Sequence, residues 1–347
     1  GLLLTHGCQN HRNFVCYDDS DLAPSRSVWE SYPVTLFSKP NLLHIGVLLG
    51  LIVLYFVLPP YHSGNLSRIM VLAIYAMGYN ILFGYTGLLS LGHAMFFAAG
   101  MYGFGLAVNL GGVPLPVAFI IGIASAGLLA AVVGSLALRT TGVAFMIVTL
   151  MLAQTAYLVV LYFGKYTRGD EGFVVQQAQR TFAGVDLTTD TARYVTALVL
   201  FAICFLALAR LVQTPFGKTL VAIRENEERA RMLGYDTKVH KLKAIIISGL
   251  VAGVAGAAYA MLFGYVGATF ATVQYSILPL LWVLLGGAGT TVGPLIGVFF
   301  MFYLIDFSSS VTTAYLLVVG VVLVLLTMFA PKGICGELRR SIFPWLP

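Results

Sequence analysis

The sequence predicts an all-α fold: a polytopic bundle of about eight to ten transmembrane helices, with an amphipathic helix held outside the bilayer. Three observations predict it. Hydrophobic residues make up 59% of the 347 residues and charged residues only 10%, whereas soluble folds carry about 25% charged residues. The charges are clumped, with none in the 70 residues from Ile69 to Leu138, the 25 from Thr140 to Gly164 or the 62 from Ala244 to Ile305. Apolar runs near the length of about 20 residues that a helix needs to cross a bilayer recur along the chain.

The elements follow in order. Residues 1–41 are polar and mixed, are broken by Pro24, Pro33 and Pro40, and lack the basic, apolar and small-residue order of a signal peptide. They are expected to form a cytoplasmic arm. Spans are then expected at Leu42–Leu58, Ser67–Phe83, Leu91–Leu110, Pro116–Leu138, Val143–Phe163, Ala192–Val212, Ala244–Tyr265, Ile277–Gly286, Val292–Phe307 and Ala314–Ala330. The runs at Ile277–Gly286 and Val292–Phe307 are short and flank Gly286-Gly287-Ala288-Gly289, so they read as two spans or as one broken, re-entrant segment. Residues 42–330 are thus the membrane domain and 331–347 a cytoplasmic tail.

With ten spans and the N-terminus inside, fifteen Lys and Arg residues lie on the inner side and five on the outer. Positive residues are retained in the cytoplasm, so both termini are expected there, in a multi-pass protein of the inner or plasma membrane. The net charge of +6 then reflects sidedness, and no nucleic-acid partner is implied. Small residues four apart (Gly249 and Gly253, Ala252 and Gly256, Gly293 and Gly297) are expected to let helices approach closely within lipid. Cys8, Cys16, Cys204 and Cys335 form no CxxC pair, and His6, Cys8, His11 and Cys16 fit no ligand spacing, so no metal is expected.

Two polar loops interrupt the apolar pattern. The outer one, 164–191, carries three basic and four acidic residues and suits a docking surface or a plain connector equally. The inner one, 213–243, alternates seven Lys and Arg with four acids. Thr214-Pro215 can start a helix and Gly234 can end one. A helix of nearly balanced charge, with Leu220, Ala230, Met232 and Leu233 on an apolar stripe and Glu225, Glu228 and Arg229 able to pair across turns, suits a groove on a cytoplasmic partner better than a lipid surface. Gly217-Lys218-Thr219 imitates the end of a phosphate-binding loop, but Val212 stands where the first glycine is required and no strand precedes it. No hydrolase motif of the Gly-x-Ser-x-Gly or His-Glu-x-x-His type occurs. The chain is therefore not expected to be an enzyme or to bind a cofactor itself.

Carboxylates at bilayer depth are costly and mark ion-driven carriers. Only Asp306 and His93 are ionisable candidates in the long apolar stretches, so a proton-driven mechanism is disfavoured. Gly84-Tyr85-Thr86-Gly87-Leu88-Leu89-Ser90-Leu91-Gly92-His93 concentrates glycines where irregular backbone is tolerated only in protein or beside a water-filled cavity. Thr86, Ser90 and His93, with Tyr79 and Asn80 upstream, are candidates to face a transport pathway; a simple turn between two spans is the equal alternative.

The stretch from Asn80 to Ala94 resembles the signature of branched-chain amino-acid ABC importer permeases, and is most similar to the M-type subunit. Thr214–Gly217, Ala222–Ala230 and Leu233–Tyr235 resemble that subunit's cytoplasmic loop; Leu285–Thr290 with Gly293-Pro294, and Phe329–Gly333, resemble two further family blocks. The resemblance covers roughly residues 65 to 340. It implies a second, homologous permease chain, two cytoplasmic ATPases that use ATP and Mg, and a periplasmic or surface-tethered binding protein. The family's coupling pattern Glu-x-Ala-x-x-x-Gly maps onto Glu228, Ala230 and Gly234, although Arg229 replaces a usual small residue and no Leu-Pro pair follows. Coupling to the ATPase is thus assigned to Leu220, Arg224, Glu225, Glu228, Arg229, Ala230, Met232, Leu233 and Gly234. The expected cargo is a branched-chain or related amino acid, with urea or a short amide as the alternative within the superfamily and an ion-coupled carrier as the alternative outside it.

Overall fold

A computed structural model describes residues 39–182, 185–329 and 333–341. The arm at 1–38, with the His6, Cys8, His11 and Cys16 reading, and the last residues of the tail lie outside the described residues. Fourteen α-helices and four two-residue strands make up the described fold. It is an all-α bundle.

The bundle helices are α1 (Lys39–Val57), α2 (Pro60–Asn80), α3 (Ala94–Asn109), α4 (Leu115–Ala137), α5 (Val143–Tyr162), α7 (Asp190–Gln213), α10 (Thr237–Phe263), α11 (Val273–Gly286), α12 (Gly293–Val311) and α13 (Tyr315–Phe329). Each predicted apolar run falls on one of them. Six are long and apolar enough to cross a membrane, counting α2 with its extension to Tyr85, and three shorter apolar helices cover Leu42–Val57, Ala94–Asn109 and Val273–Gly286. The pair suspected of being one broken segment is a helical hairpin. α12 reaches 19 residues, while α11 has 14 and follows a 3-10 turn at Ala268–Ala271. Proline stands in the first turn of α2, α4 and α12, where its missing N–H has no helical acceptor to lose.

α2 is the core helix, buried over nearly its whole length. α3, α4 and α10 pack as a tight triplet beside it. Here the small-residue spacing acts as expected. Gly253 faces Ala126, Gly249 faces Ala130, and a side chain at Gly256 would strike the Phe97 carbonyl. Lipid offers no hydrophobic gain for joining helices, so close backbone approach supplies it through dispersion. The outward faces of α4, α5 and α7 expose Ile120, Leu128, Met151, Val199 and Ile203, a surface suited to hydrocarbon rather than water.

The 164–191 loop carries short elements of its own. After a single turn, α6 (Gly164–Thr167), β1 (Phe173–Val174) pairs antiparallel with β4 (Tyr265–Val266), and β2 (Thr181–Phe182) pairs with β3 (Val185–Asp186). The first pair ties the loop to the end of α10, and the second lies within the loop itself. Phe173 lies against Gly105 and edge-on to Tyr102 at 6.2 Å. The 213–243 segment also departs from expectation. The single amphipathic helix is two, α8 (Pro215–Glu225) and α9 (Glu227–Met232), and α10 begins at Thr237, so its first two turns lie inside what reads as loop. α14 (Gly333–Ser341) packs on α11 and α12 at the same end of the bundle as α8.

Candidate functional site

The site begins with three side-chain caps. Thr214 accepts from the Gly217 N–H at 3.4 Å, Asn226 from the Arg229 N–H at 2.9 Å and Asp236 from the Val239 N–H at 3.1 Å. Each cap starts a helix by satisfying an orphan donor. Asn226, extended at φ −158° and ψ 103°, is what splits α8 from α9. Gly234 ends the segment at φ +89°, with the Tyr235 N–H returning to the Ala230 carbonyl at 3.2 Å. The predicted left-handed helix end is present.

Burial sorts the coupling residues into two groups. Leu220 is 1% exposed and Ala230 2%, so both are used inside the chain, whereas Met232 is 85% exposed and Leu233 73%. Leu220 is therefore not an anchor for a partner, because its face of α8 packs on the bundle. Tyr235 and Val239 extend the exposed apolar patch in its place. Glu225, Glu228 and Arg229 are exposed beside it. The pairing across turns is made by another acid: Glu227 meets Lys241 at 2.6 Å and Arg231 at 3.4 Å. Partial burial works to raise the Glu227 pKa, but the hydrogen bond and charge of Lys241, with help from Thr237 and Arg231, hold it below its ordinary value.

Arg224 turns inward. Its Nη1 donates to the Gly84 carbonyl and its Nη2 to Glu225 at 3.0 Å. Its stem covers Gly87, a position at φ +74° where an added Cβ would lie 2.8 Å from the Arg224 Cγ. Gly84 sits in the π-turn Ile81–Tyr85 that ends α2. Beneath it, Asn80 Nδ2 donates to the Thr290 carbonyl at 2.8 Å, and the Gly289 N–H donates to Asn80 Oδ1 at 2.9 Å. Gly333, at φ +74°, backs onto the Gly287 backbone. Four stretches far apart in sequence (80–87, 224, 287–290 and 333) thus meet at one end of the bundle.

The candidate pathway residues are all buried. Thr86 Oγ1 donates to the Ile81 carbonyl at 2.8 Å and Tyr79 to the Ser90 carbonyl at 3.0 Å, while Ser90 Oγ accepts from the Gly92 N–H at 3.3 Å. His93 stacks on Tyr75 at 5.3 Å and stands edge-on to Tyr79 and Phe96. Its Nε2 is 3.5 Å from Ser248 Oγ, which donates to the Gly78 carbonyl at 2.6 Å. Thr86, Tyr79 and Ser90 satisfy the irregular backbone between α2 and α3, Asn80 ties that stretch to the α11–α12 turn, and His93 lies among aromatic rings beside Ser248. Buried polar groups at membrane depth have only protein to bond with.

One cleft borders this framework and another lies away from it. The first, about 330 Å³, lies between Thr86–Leu88, Leu138–Gly142 and the α8–α9 segment, with Arg224, Glu227, Arg231 and Lys241 on its wall. The other, about 270 Å³, lies between α2, α11 and α12 at the opposite end and includes Asp306. No group of three or more His, Cys, Asp or Glu among the described residues is placed to hold a metal. The sequence reading missed Glu227 and Lys241; only the helical spacing of Glu227 and Arg231, four apart, was there to be read.

Residues 62–329 match the family described as branched-chain amino acid transport system / permease component. The chain is 28% identical over 305 residues to the high-affinity branched-chain amino acid transport system permease protein LivM of Escherichia coli, covering 79% of this chain and 69% of the relative. A probable branched-chain amino acid transport permease protein LivM of Methanocaldococcus jannaschii is 35% identical over 104 residues, 29% of this chain and 30% of that one. The autoinducer 2 import system permease protein LsrC of Photorhabdus laumondii is 33% identical over 109 residues, 29% of this chain and 32% of the relative. No solved structure matches the chain. A match over most of the length, the four convergent segments and the membrane-length helices lead to one assignment: the chain belongs to the branched-chain amino acid transport system permease family, as a multi-pass LivM-like transport subunit and not an enzyme.

Proposed function

We propose that this subunit forms half of the membrane pathway of an ATP-driven importer for branched-chain or related amino acids. Its partners are a second, homologous permease chain, two cytoplasmic ATPases that use ATP and Mg, and a binding protein on the outer side. The α8–α9 segment is the coupling element. Met232, Leu233 and Tyr235 are its apolar contacts with the ATPase, and Glu225, Glu228 and Arg229 set its register, since apolar anchors carry binding energy and rim charges carry specificity. The membrane domain spans 42–330, both termini are cytoplasmic, and the 164–191 loop faces outward.

The observation that carries this reading is the contact of Arg224 with Gly84. It joins the exposed segment to the π-turn of α2 and, through Asn80, to the α11–α12 turn. A movement imposed on α8 and α9 therefore reaches two non-helical breaks between bundle helices. The test is reconstitution of the complete complex in vesicles, with uptake of leucine, isoleucine, valine and urea measured beside ATP hydrolysis. Amino-acid uptake that requires ATP and the binding protein is expected. Uptake that persists without the ATPases, or that favours urea, overturns the reading.

A further inference from the structure

At the end of the bundle away from α8 and α9, Asp306 stands on α12, about 20 Å along the helix from Gly293. It ends the uncharged run that begins at Ala244. The other carboxylate on a long apolar bundle helix among the described residues, Asp190, sits in the first turn of α7. Asp306 has no ion-pair partner among the described residues. Both of its oxygens accept from one group, the Tyr61 hydroxyl, at 3.0 Å each. A carboxylate offers about four lone-pair sites, so room for a cationic donor remains.

The surroundings specify what that donor carries. Asp306 opens onto the cleft of about 270 Å³ whose other walls are Leu72, Tyr275, Leu278, Trp282, Phe302, Ile305 and Ser309. Trp282 and Leu72 are buried and form its floor. An apolar pocket with one convergent charged group is the usual form of a small-molecule site. Aromatic faces beside the carboxylate add attraction for a cation. Asp306 is partly exposed and stands five residues from the end of α12, so a cationic ligand can reach it from outside the bundle.

We infer that this cleft is a binding station for a primary ammonium group bearing a compact branched apolar chain, with Asp306 on the ammonium and Trp282, Tyr275 and Phe302 around the chain. The inference rests on the amino-acid reading of the proposed function and sharpens it. A neutral urea or amide would leave Asp306 without a cation. The lining residues include no basic group for a carboxylate, so an amine lacking one binds as well as the amino acid.

The experiment uses the complete complex in nanodiscs. Trp282 fluorescence, taken as the difference between the wild type and W282F, is titrated with 3-methylbutylamine, leucine and 4-methylpentanoate; leucine uptake is measured in vesicles. The amine and leucine are expected to bind saturably and the acid not to bind. D306N is expected to weaken both by at least tenfold and raise the uptake KM similarly, with D306E recovering part of the loss. Y61F, which frees the carboxylate, is expected to bind the amine at least as tightly as the wild type. If D306N fails to co-purify with the ATPases, Y61F and the three-probe comparison decide. Amine binding unchanged in D306N, or 4-methylpentanoate binding as tightly as the amine, overturns the inference. A wild type that binds the amine through Asp306 yet imports no amino acid overturns the proposed function and leaves the cleft standing. Leucine import with the same KM in D306N overturns the cleft alone.

Discussion

The Arg224 guanidinium, on the helix outside the bundle, donates to the carbonyl of Gly84 in the π-turn that ends the core helix. That carbonyl is available because a π-turn shifts the helical bonding, with the Thr86 N–H returning to Ile81 and the Gly87 N–H to Phe83. Gly84 also admits Asn80 and Gly289 at its face, where any Cβ would collide with both. The contact is thus the point at which an exposed segment touches the bundle's irregular backbone.

Arg224→Gln keeps a donor but loses the charge and the reach. A hydrogen bond to a charged group contributes about 1.5–3 kcal/mol, so uptake by the complete complex is expected to fall about tenfold or more. Pull-down of the ATPase with R224Q in wild-type amounts, beside reduced leucine uptake, checks that the loss is in transmission and not in docking.

Gly234→Val forces a β-branched residue to φ +89°. Space is not the problem, since a Cβ there meets nothing within 4 Å; backbone conformation is, at about 1–2 kcal/mol. G234V is expected to lower uptake and ATPase stimulation by the loaded binding protein, with Gly234→Asn milder because Asn tolerates the left-handed region. Equal activity in both variants would show that the helix end is free to rearrange.

Asn80→Ala strips partners from the Gly289 N–H and the Thr290 carbonyl at once. Each buried group left unsatisfied costs about 1–3 kcal/mol. The variant is expected to melt several degrees below the wild type in detergent. Asn80→Asp, which sets a buried carboxylate against the Thr290 carbonyl, is expected to melt at least as low as the Ala variant.

The Glu227 clamp carries a pH dependence of known sign. Its folded pKa lies below the unfolded value, so the clamp stabilises above the unfolded pKa of about 4.3 and is lost as pH falls through the folded pKa. Glu227 is 32% exposed in its side chain and Lys241 12%, which keeps the contribution under about 1 kcal/mol. Melting temperatures of wild type and E227Q are expected to differ near neutral pH and to converge in acid; a constant difference across that range would refute the clamp.

The sequence by itself determined the lipid-embedded helical class, the position of every apolar run, the glycine spacing that packs α10 on α3 and α4, and the helix start at Thr214 and end at Gly234. These are properties of composition and local periodicity, and each residue's own chemistry is enough to set them. Only the tertiary structure decided where the polar residues of those segments point. Leu220 reads as an exposed anchor and is buried, Tyr79 donates to the Ser90 carbonyl, His93 lies among aromatic rings beside Ser248, and Arg224 reads as one charge among seven and reaches Gly84. Facing depends on what the fold brings alongside, and Gly84 is 140 residues from Arg224 in the chain. Burial and hydrogen-bond satisfaction are set by such distant contacts, which no local window of sequence contains.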